Sequence, residues 1–398
     1  MFRTLPPTAA PIQFQDLLSG VFSTFVGHGA ESELKGQIQD YFKAKHVFLV
    51  SSGKAALYLS LRAIQQSSQR KEVIIPAYSS FCLASAVART GLAVKLCDMD
   101  PETLDFDLAK LKSMVTEKTL AVIPVHNYGL VCNMREIQGT ALEKDAYVVE
   151  DAAQAAGAQF ENRKAGTIGD MGILSLGRDK NICALGGGVI LTDREPLASL
   201  IEELLDLYPR ERSFPECSSM LTGMALSLFL HPERYAVPAR LPFLKLGANV
   251  FDPDFRIARL SNENAEVGRR AFLSLDPYNE IRIRNARLLN HNLCDNESLR
   301  IPKPFVAGQP VYLRFPIVFP KKEARRRVFW ILSRRRLGAS RSYPTPLNEI
   351  PAFRKYLCAE DDYPGAKFVA DRILTLPTHP SVNEDDIQKI VSRINRMT

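Results

Sequence analysis

Short apolar runs alternate with amphipathic stretches along the first half of the chain, between Val47 and Asp193. The amphipathic stretches at 54–64 and 81–91 carry apolar residues at helical spacing and predict helices. The apolar runs, rich in β-branched residues, predict strands at 47–50, 73–76, 93–100, 120–125, 146–152, 171–176 and 187–193. Apolar strands separated by helices are typical of an α/β fold, with a mostly parallel sheet that helices cover on both faces.

The pattern changes after about residue 196. It predicts an amphipathic helix at 195–208, an apolar insertion at 214–250, polar helices within 259–296, a strand at 311–319 and a basic helix at 321–338. We therefore predict a large α/β domain over residues 1–249, which includes the insertion, and a small α+β domain over residues 250–398. We interpret the insertion as a helical flap packed on a partner subunit. Shallow contact with the inner membrane face is the alternative.

The composition is that of a globular protein, with 398 residues of which 46% are hydrophobic and 24% charged. The net charge of +7 is local, because residues 301–350 hold 11 basic and 2 acidic residues. One basic segment does not indicate a nucleic-acid-binding protein. We interpret it as the exposed face of the predicted helix at 321–338, and a contact of its arginines with phosphate or anionic lipid is the alternative. The residues of this helix expected to face the core are Val328, Phe329, Ile331 and Leu332.

Cysteine and histidine usage argues against further classes. The seven cysteines are scattered and never form a CxxC pair, and the six histidines are isolated. The sequence therefore indicates neither a disulfide framework nor a metal site. The first residues lack a charged segment followed by an apolar one, and no apolar run reaches about 18 residues. We expect a cytoplasmic protein with neither a signal peptide nor a transmembrane helix.

Small residues connect the first predicted strand to the helix that follows, in the sequence Ser51-Ser52-Gly53-Lys54. The N-terminus of a helix offers free N–H groups and the positive end of the helix dipole, an arrangement typical of phosphate sites. A serine at this place is also a common N-cap. The motif alone leaves both interpretations open.

Two further segments carry groups suited to chemistry. Asp151 and Gln154 follow an apolar strand, and an acid at the end of a parallel strand either binds a ligand or caps the next helix. Lys180 lies between the strand that contains Ser175 and three consecutive glycines, where a lysine is either a nucleophile or base in a cleft or a solvated side chain. A phosphate site, an Asp about 100 residues later and a Lys about 30 residues after that suit pyridoxal phosphate.

Longer stretches of the sequence resemble one family over nearly the whole chain. They include SSGKAALYLSL, VIIPAYSSFCLASAVARTG, IPVHNYG, VVEDAAQAAGA, GDMGILSLGRDKNICALGGGVILTD and RILTLPTHPSVNEDDIQKIVSRI. These segments are similar to those of the DegT-type sugar aminotransferases, fold-type I pyridoxal-phosphate enzymes that act on nucleotide-linked keto sugars. The resemblance implies a fold-type I architecture, pyridoxal 5'-phosphate as cofactor and a homodimer.

The resemblance also implies roles for individual residues. Lys180 resembles the lysine that forms the Schiff base and moves the proton, and Asp151 resembles the partner of the pyridine nitrogen. The cofactor-binding positions that it implies are Ser52, Gly53, Lys54, Ser80, Asp151, Gln154, Ser175 and Lys180. The positions that it places on the substrate side are His126, Tyr128 and Arg259.

Four positions depart from the family pattern. Lys54 stands where Thr is usual, Ser80 where an aromatic residue stacks on the cofactor, Ala156 where His is frequent, and Ile257 where Asn is usual. The nearby Tyr78 or Phe81 is the alternative for the stacking role. The retained lysine distinguishes this chain from relatives that carry His at that position and act as dehydratases.

The function implied is transamination of a nucleotide-linked keto sugar, with glutamate as amino donor, for surface polysaccharide or secondary-metabolite synthesis. Two alternatives stay open at this point. One is a catalytically altered relative, such as a dehydratase or an aminotransferase for a non-sugar ketone. The other is a regulatory or scaffold protein that binds the cofactor without turnover.

Overall fold

A seven-stranded sheet lies at the centre of the chain, with the spatial order β1-β9-β8-β5-β4-β2-β3. The computed structural model of the protein describes residues 3–10, 12–26, 29–208, 232–235, 250–294, 297–359 and 361–397. The strands are β1 His46–Val50, β2 Glu72–Pro76, β3 Ala93–Cys97, β4 Thr119–Val122, β5 Tyr147–Asp151, β6 Gln159–Phe160, β7 Arg163–Lys164, β8 Met171–Ser175, β9 Gly188–Thr192, β10 Gly308–Gln309, β11 Arg314–Val318 and β12 Ile373–Pro377. Strands β3, β2, β4, β5 and β8 are parallel, whereas β9 is antiparallel to both of its neighbours. The predicted mostly parallel sheet is confirmed.

Helices cover both faces of this sheet. They are α1 Phe14–Val26, α2 Ala30–Phe42, α3 Gly53–Ser67, α4 Phe81–Thr90, α5 Leu108–Met114, α6 Met134–Leu142, α7 Glu195–Asp206, α8 Asn262–Phe272, α9 Leu275–Leu293, α10 Lys322–Arg334, α11 Pro364–Arg372 and α12 Glu384–Asn395. Successive strand residues point to opposite faces. In β2, Val73 and Ile75 pack in the apolar cluster with α3 and α4, and Ile74 packs in the cluster with α2 and α6. Both faces are therefore buried, which explains the continuous apolar runs in the sequence.

A second group of elements surrounds the two-stranded sheet of β11 and β12. Its apolar cluster takes residues from both strands and from α9, α10 and α12. The predicted basic helix is confirmed as α10: Val328 and Leu332 are buried, Phe329 and Ile331 are partly buried, and Trp330 is 57% exposed. The amphipathic pattern identified this helix because its apolar positions recur at helical spacing.

The apolar contacts of residues 250–272 bear on the predicted domain division. Phe255 and Ile257 belong to the cluster that packs beneath α3 and α4, and α8 packs on α1 and α2. This stretch therefore packs with the seven-stranded sheet, and the second cluster draws on Leu5 and on the chain from α9 onward. The division after residue 249 stays a prediction.

The predicted insertion at 214–250 lies almost wholly outside the described residues, as do the proposed flap and its membrane contact. Of the residues that are described, Pro232 is buried, and its carbonyl oxygen accepts a 2.7 Å hydrogen bond from the Thr4 N–H. No helix within the described ranges is long and apolar enough to cross a membrane.

Candidate active site

Three predicted segments meet where β5 and β8 end. Asp151 and Ser175 are the last residues of these two neighbouring parallel strands. Ser175 pairs with Gly188 of β9, and Ser52, which precedes α3, forms a bridge with Gly187. The sheet therefore brings the start of α3, Ser175 and the end of β5 to one edge, the place where open α/β sheets bind ligands.

Glycines allow the backbone to pack closely at the start of α3. A Cβ atom on Gly53 would lie 3.1 Å from the Ser175 Cβ, and one on Gly188 would lie 2.3 Å from the Ser52 carbonyl oxygen. The first-turn N–H groups of α3 have no acceptor within the helix. A small anion can therefore be held by these N–H groups together with the Ser175 hydroxyl.

The structure confirms the capping interpretation of the serine motif, and its phosphate contact stays a prediction. The Ser52 Oγ accepts a 3.1 Å hydrogen bond from the Ala55 N–H, so Ser52 is the N-cap of α3. The Lys54 ammonium group lies 3.4 Å from the Asp252 carboxylate and 4.8 Å from the centre of the Phe255 ring. Capping and anion binding use different atoms here, because the cap employs a side-chain oxygen and leaves first-turn N–H groups available.

Lys180 and Asp151 lie near each other at this edge, together with Lys54, Asp179 and Cys82, and we call this group of side chains the cleft. Burial raises the pKa of Asp151, and the Lys180 ammonium opposes that shift. Lys180 is also the main cause of the lowered pKa of Asp179. The thiol of Cys82, near the start of α4, has a pKa raised by burial, and Lys180 and then Lys54 oppose the rise. The cleft therefore combines two lysines, two carboxylates and a thiol, and the sequence did not single out Cys82 or Asp179.

Glu150, the residue before Asp151 in β5, points to the opposite face of the sheet. Glu150 is fully buried and accepts hydrogen bonds from the Gly166 and Gly169 N–H groups at 2.8 and 2.6 Å. Glu150 also pairs with His126, whose Nε2 lies 3.1 Å from the carboxylate. The His126 Nδ1 accepts from the Cys132 N–H at 3.2 Å. Both ring nitrogens of this fully buried histidine are occupied. The pairing with Glu150 holds His126 in the core, and its placement on the substrate side stays a prediction.

A buried tyrosine cluster holds Gln154. The Gln154 Oε1 accepts from the Tyr128 N–H at 3.1 Å, and its Nε2 donates to the Tyr343 hydroxyl at 2.7 Å. The Tyr128 hydroxyl lies 3.0 Å from that of Tyr78. Tyr78 and Tyr128 are almost fully buried, and Tyr128 holds the Gln154 amide in place. A contact of Tyr128 with the substrate stays a prediction. No pattern in the sequence marks Tyr343, which lies 189 residues from Gln154.

The loop that carries Lys180 is fixed by a polar cluster on α9. The fully buried Arg282 donates to the Asn181 carbonyl oxygen at 2.9 Å and to the Asn279 Oδ1 at 2.9 Å. Asn279 in turn donates to the Ala156 carbonyl oxygen at 2.8 Å. One helix therefore holds both the loop after β8 and the turn after β5, which fixes the relative position of Lys180 and Asp151.

The sequence matches a known family over almost its full length. Residues 15–231 and 239–395 match the model of the DegT/DnrJ/EryC1/StrS aminotransferase family. The chain belongs to this family. It is a pyridoxal-phosphate-dependent enzyme of the sugar aminotransferase type.

Relatives of this DegT-family chain act on nucleotide-linked sugars. The chain is 28% identical to GDP-perosamine synthase of Caulobacter vibrioides, over 92% of this chain and 89% of that protein. It is 27% identical to the UDP-N-acetyl-3-dehydro-α-D-glucosamine 3-aminotransferase of Acidithiobacillus ferrooxidans, over 97% and 95%. The fold is also that of the Escherichia coli GDP-4-keto-6-deoxy-D-mannose-3-dehydratase solved with hydrated PLP, at a TM-score of 0.80 and 21% identity over 99% and 100% of the two chains. This fold is therefore shared with an enzyme that is named for a different reaction.

The described residues of this DegT-family chain fit pyridoxal phosphate. The glycine-lined start of α3 with Ser175 suits a phosphate group, because a Cβ on Gly53 would fill that space. Burial raises the pKa of the Asp151 carboxyl group, and a protonated ring nitrogen would be a suitable partner that favours its charged form. Lys180 lies in the same cleft, and its amine would react with the aldehyde of the cofactor.

The remaining predicted positions of the DegT-family pattern lie apart from this cleft or serve the fold. Arg259 donates to the Asp206 carboxylate at 2.6 Å and to the Leu205 carbonyl oxygen at 3.3 Å, so α7 holds its guanidinium. Its contact with the substrate stays a prediction. Ser80 caps α4 by accepting from the Leu83 N–H, and its contact with the cofactor stays a prediction. Ile257 is buried in the core.

Proposed function

We propose that this protein transfers an amino group from glutamate to a nucleotide-linked keto sugar. The observation that carries the proposal is the shared cleft of Lys180 and Asp151 beside the start of α3. Transamination needs an amine that exchanges with the donor, a proton carrier and a charge partner for the ring nitrogen. Lys180 provides the first two and Asp151 the third.

Each residue has a defined task in this proposal. Pyridoxal phosphate, when bound, withdraws electrons from the carbon that carries the amino group. Asp151, held by the Ala153 N–H at 3.1 Å, stabilises the positive charge on the ring nitrogen. The Lys180 Nζ removes the proton from the amino-bearing carbon of the donor and returns a proton at the end of the half-reaction. The start of α3 and Ser175 hold the phosphate, and Gln154 lies beside the ring on its tyrosine support.

The names of the relatives support the class of acceptor. Both curated relatives described above are named for products or substrates linked to GDP or UDP, and they cover nine-tenths or more of this chain. We propose the same class, a keto sugar on a nucleoside diphosphate, for this chain. An amino sugar made in this way would serve surface polysaccharide or secondary-metabolite synthesis. We also propose a homodimer, as the family resemblance implies.

Absorbance of the bound cofactor tests the proposal in two steps. The holoenzyme is titrated with glutamate, and we expect the band of the lysine-linked cofactor to convert to that of the amine form. A panel of nucleotide keto sugars is then added, and the matching sugar should restore the first band and yield an amino sugar detectable by mass spectrometry. Conversion by a non-sugar ketone alone, or loss of water from a deoxysugar substrate without any response to amino acids, would contradict it. Purified protein that binds the cofactor but shows no conversion with any amino donor would favour the scaffold alternative.

A further inference from the structure

Arg314 is a cation at the cleft that the proposed chemistry does not yet use. It is the first residue of β11 and pairs with Pro377 of β12. The chain just before it packs on the turn at Tyr128: the Val311 N–H donates to the Gly129 carbonyl oxygen at 3.1 Å, and a Cβ on Gly129 would lie 2.9 Å from the Leu313 nitrogen. The turn that supports Gln154 therefore places the start of β11 next to the active site.

The charge of Arg314 acts on groups that line the cleft. After Lys180, Arg314 is the other cation that lowers the pKa of Asp179, the neighbour of Lys180 in the chain. It also opposes the burial that raises the pKa values of Tyr128 and Tyr343. The hydrogen bonds place the guanidinium near the same loop. Arg314 contacts Thr8, and the carbonyl oxygen of the next residue, Ala9, accepts from Arg282 at 3.5 Å. Arg282 also donates to the carbonyl oxygen of Asn181, the residue after Lys180, at 2.9 Å.

The guanidinium is oriented but not neutralised. Its Nη2 donates to the Thr8 Oγ1 at 3.3 Å, and Thr8 belongs to a segment at 3–10 whose Thr4, Leu5, Ala9 and Ala10 are buried. Within the described ranges no carboxylate lies within ion-pair distance of Arg314. Since a guanidinium has five N–H donors in a planar array, most of its donors stay available for a carboxylate.

The other cations of the cleft, Lys54 and Lys180, already have a contact or a role of their own. Lys54 lies against Asp252 and Phe255, at the end of the cleft formed by α3. Lys180 has to be free of its proton to exchange with the donor, so it cannot also serve as a permanent charge partner. Glutamate brings two carboxylates into the site, and a charge removed from water needs a partner.

We infer that Arg314 binds a carboxylate of the amino donor and so selects an amino acid in the first half-reaction. This inference rests on the proposed transamination and deepens it. A planar guanidinium favours a carboxylate through two parallel hydrogen bonds, which a lysine cannot form. Thr8 acts as the residue that orients the guanidinium.

The test compares Arg314→Met and Arg314→Lys with Arg300→Met, a matched control. Arg300 is an exposed arginine paired with Glu102, and the proposed site does not use it. Two quantities are measured on the holoenzyme. The first is the glutamate concentration for half-maximal conversion of the cofactor band. The second is the dissociation constant of glutarate, which has both carboxylates and no amine, by calorimetry.

We expect Arg314→Met to weaken glutamate and glutarate about 10- to 100-fold, as the loss of charge-assisted hydrogen bonds implies, and Arg300→Met to change neither. Starting from the amine form, the affinity for the nucleotide keto sugar should stay within about twofold. Unchanged glutarate binding, or a loss confined to the sugar half-reaction, would overturn the inference.

Two further outcomes are distinguished. If wild-type holoenzyme responds to no amino acid, the proposed function fails irrespective of Arg314. If Arg314→Met does not fold, as judged by thermal melting, Arg314→Lys decides, because it keeps the charge and loses the paired hydrogen bonds. We then expect weaker glutarate binding than in the wild type, and wild-type affinity would refute the role.

Discussion

The hydrogen bond between Tyr343 and Gln154 can be tested by removing a single oxygen atom. Tyr343→Phe deletes the hydroxyl that accepts from the Gln154 Nε2 at 2.7 Å, and both side chains are buried. Leaving a buried amide N–H without an acceptor costs about 1–3 kcal/mol. We expect the free energy of unfolding to fall by that amount, and the bound cofactor's absorbance to shift because Gln154 loses its orientation.

The assay is urea denaturation of the holoenzyme and the apoenzyme, with a double-mutant cycle. Tyr356→Phe is the matched control, since Tyr356 is half-buried and no hydrogen bond of its hydroxyl is found in the described chain. In a Gln154→Leu background, Tyr343→Phe should cost much less, because no donor remains to be stranded.

Two results would refute this reasoning. One is a loss no larger than that of Tyr356→Phe. The other is an equal loss with and without Gln154. Either would show that the tyrosine acts through packing alone and that Gln154 does not depend on it.

Three further predictions concern the cofactor cradle, the ring partner and a buried histidine. Gly53→Ala should weaken binding of pyridoxal phosphate, measured by equilibrium dialysis, because its Cβ would lie 3.1 Å from that of Ser175; unchanged affinity would place the phosphate elsewhere. Asp151→Asn should slow the glutamate half-reaction about 10- to 1000-fold while the cofactor stays bound, since the ring nitrogen loses its anionic partner, and an unaffected stopped-flow rate would exclude that role. His379 is fully buried and burial lowers its pKa from 6.5 to about 4, so the folded state binds this proton less readily than the unfolded state. The contribution of neutral His379 to stability is present above pH 6.5 and is lost as the pH falls toward 4, by up to about 3 kcal/mol. His379→Asn should make the urea midpoint depend less on pH over that range, and an unchanged pH dependence would contradict the assignment.

The sequence predicted the elements whose cause is local. Runs such as 73–76 and 171–176 are strands because both of their faces are buried, and burial on both faces leaves a continuous apolar signature. Asp151 and Lys180 could be predicted as site residues because Asp151 ends β5 and Lys180 follows the end of β8 by five residues, each within a short motif.

Contacts between distant segments left no local signature. Tyr343 and Arg314 reach the cleft from the opposite end of the chain, and nothing in the spacing of neighbouring residues marks them. The motif that contains His126 and Tyr128 identified the correct turn, but it could not show that Glu150 would hold the histidine inside. The segment at 3–10, whose Leu5 packs with the second apolar cluster, was likewise missed because it has no periodic pattern.

Release of 2-oxoglutarate in a single turnover tests the central claim most directly. Holoenzyme is mixed with glutamate in the absence of any sugar, and the keto acid is measured by mass spectrometry. Transamination through Lys180 predicts about one 2-oxoglutarate per bound cofactor, and none for Lys180→Ala. Wild-type protein that holds its cofactor and releases no keto acid would contradict the account.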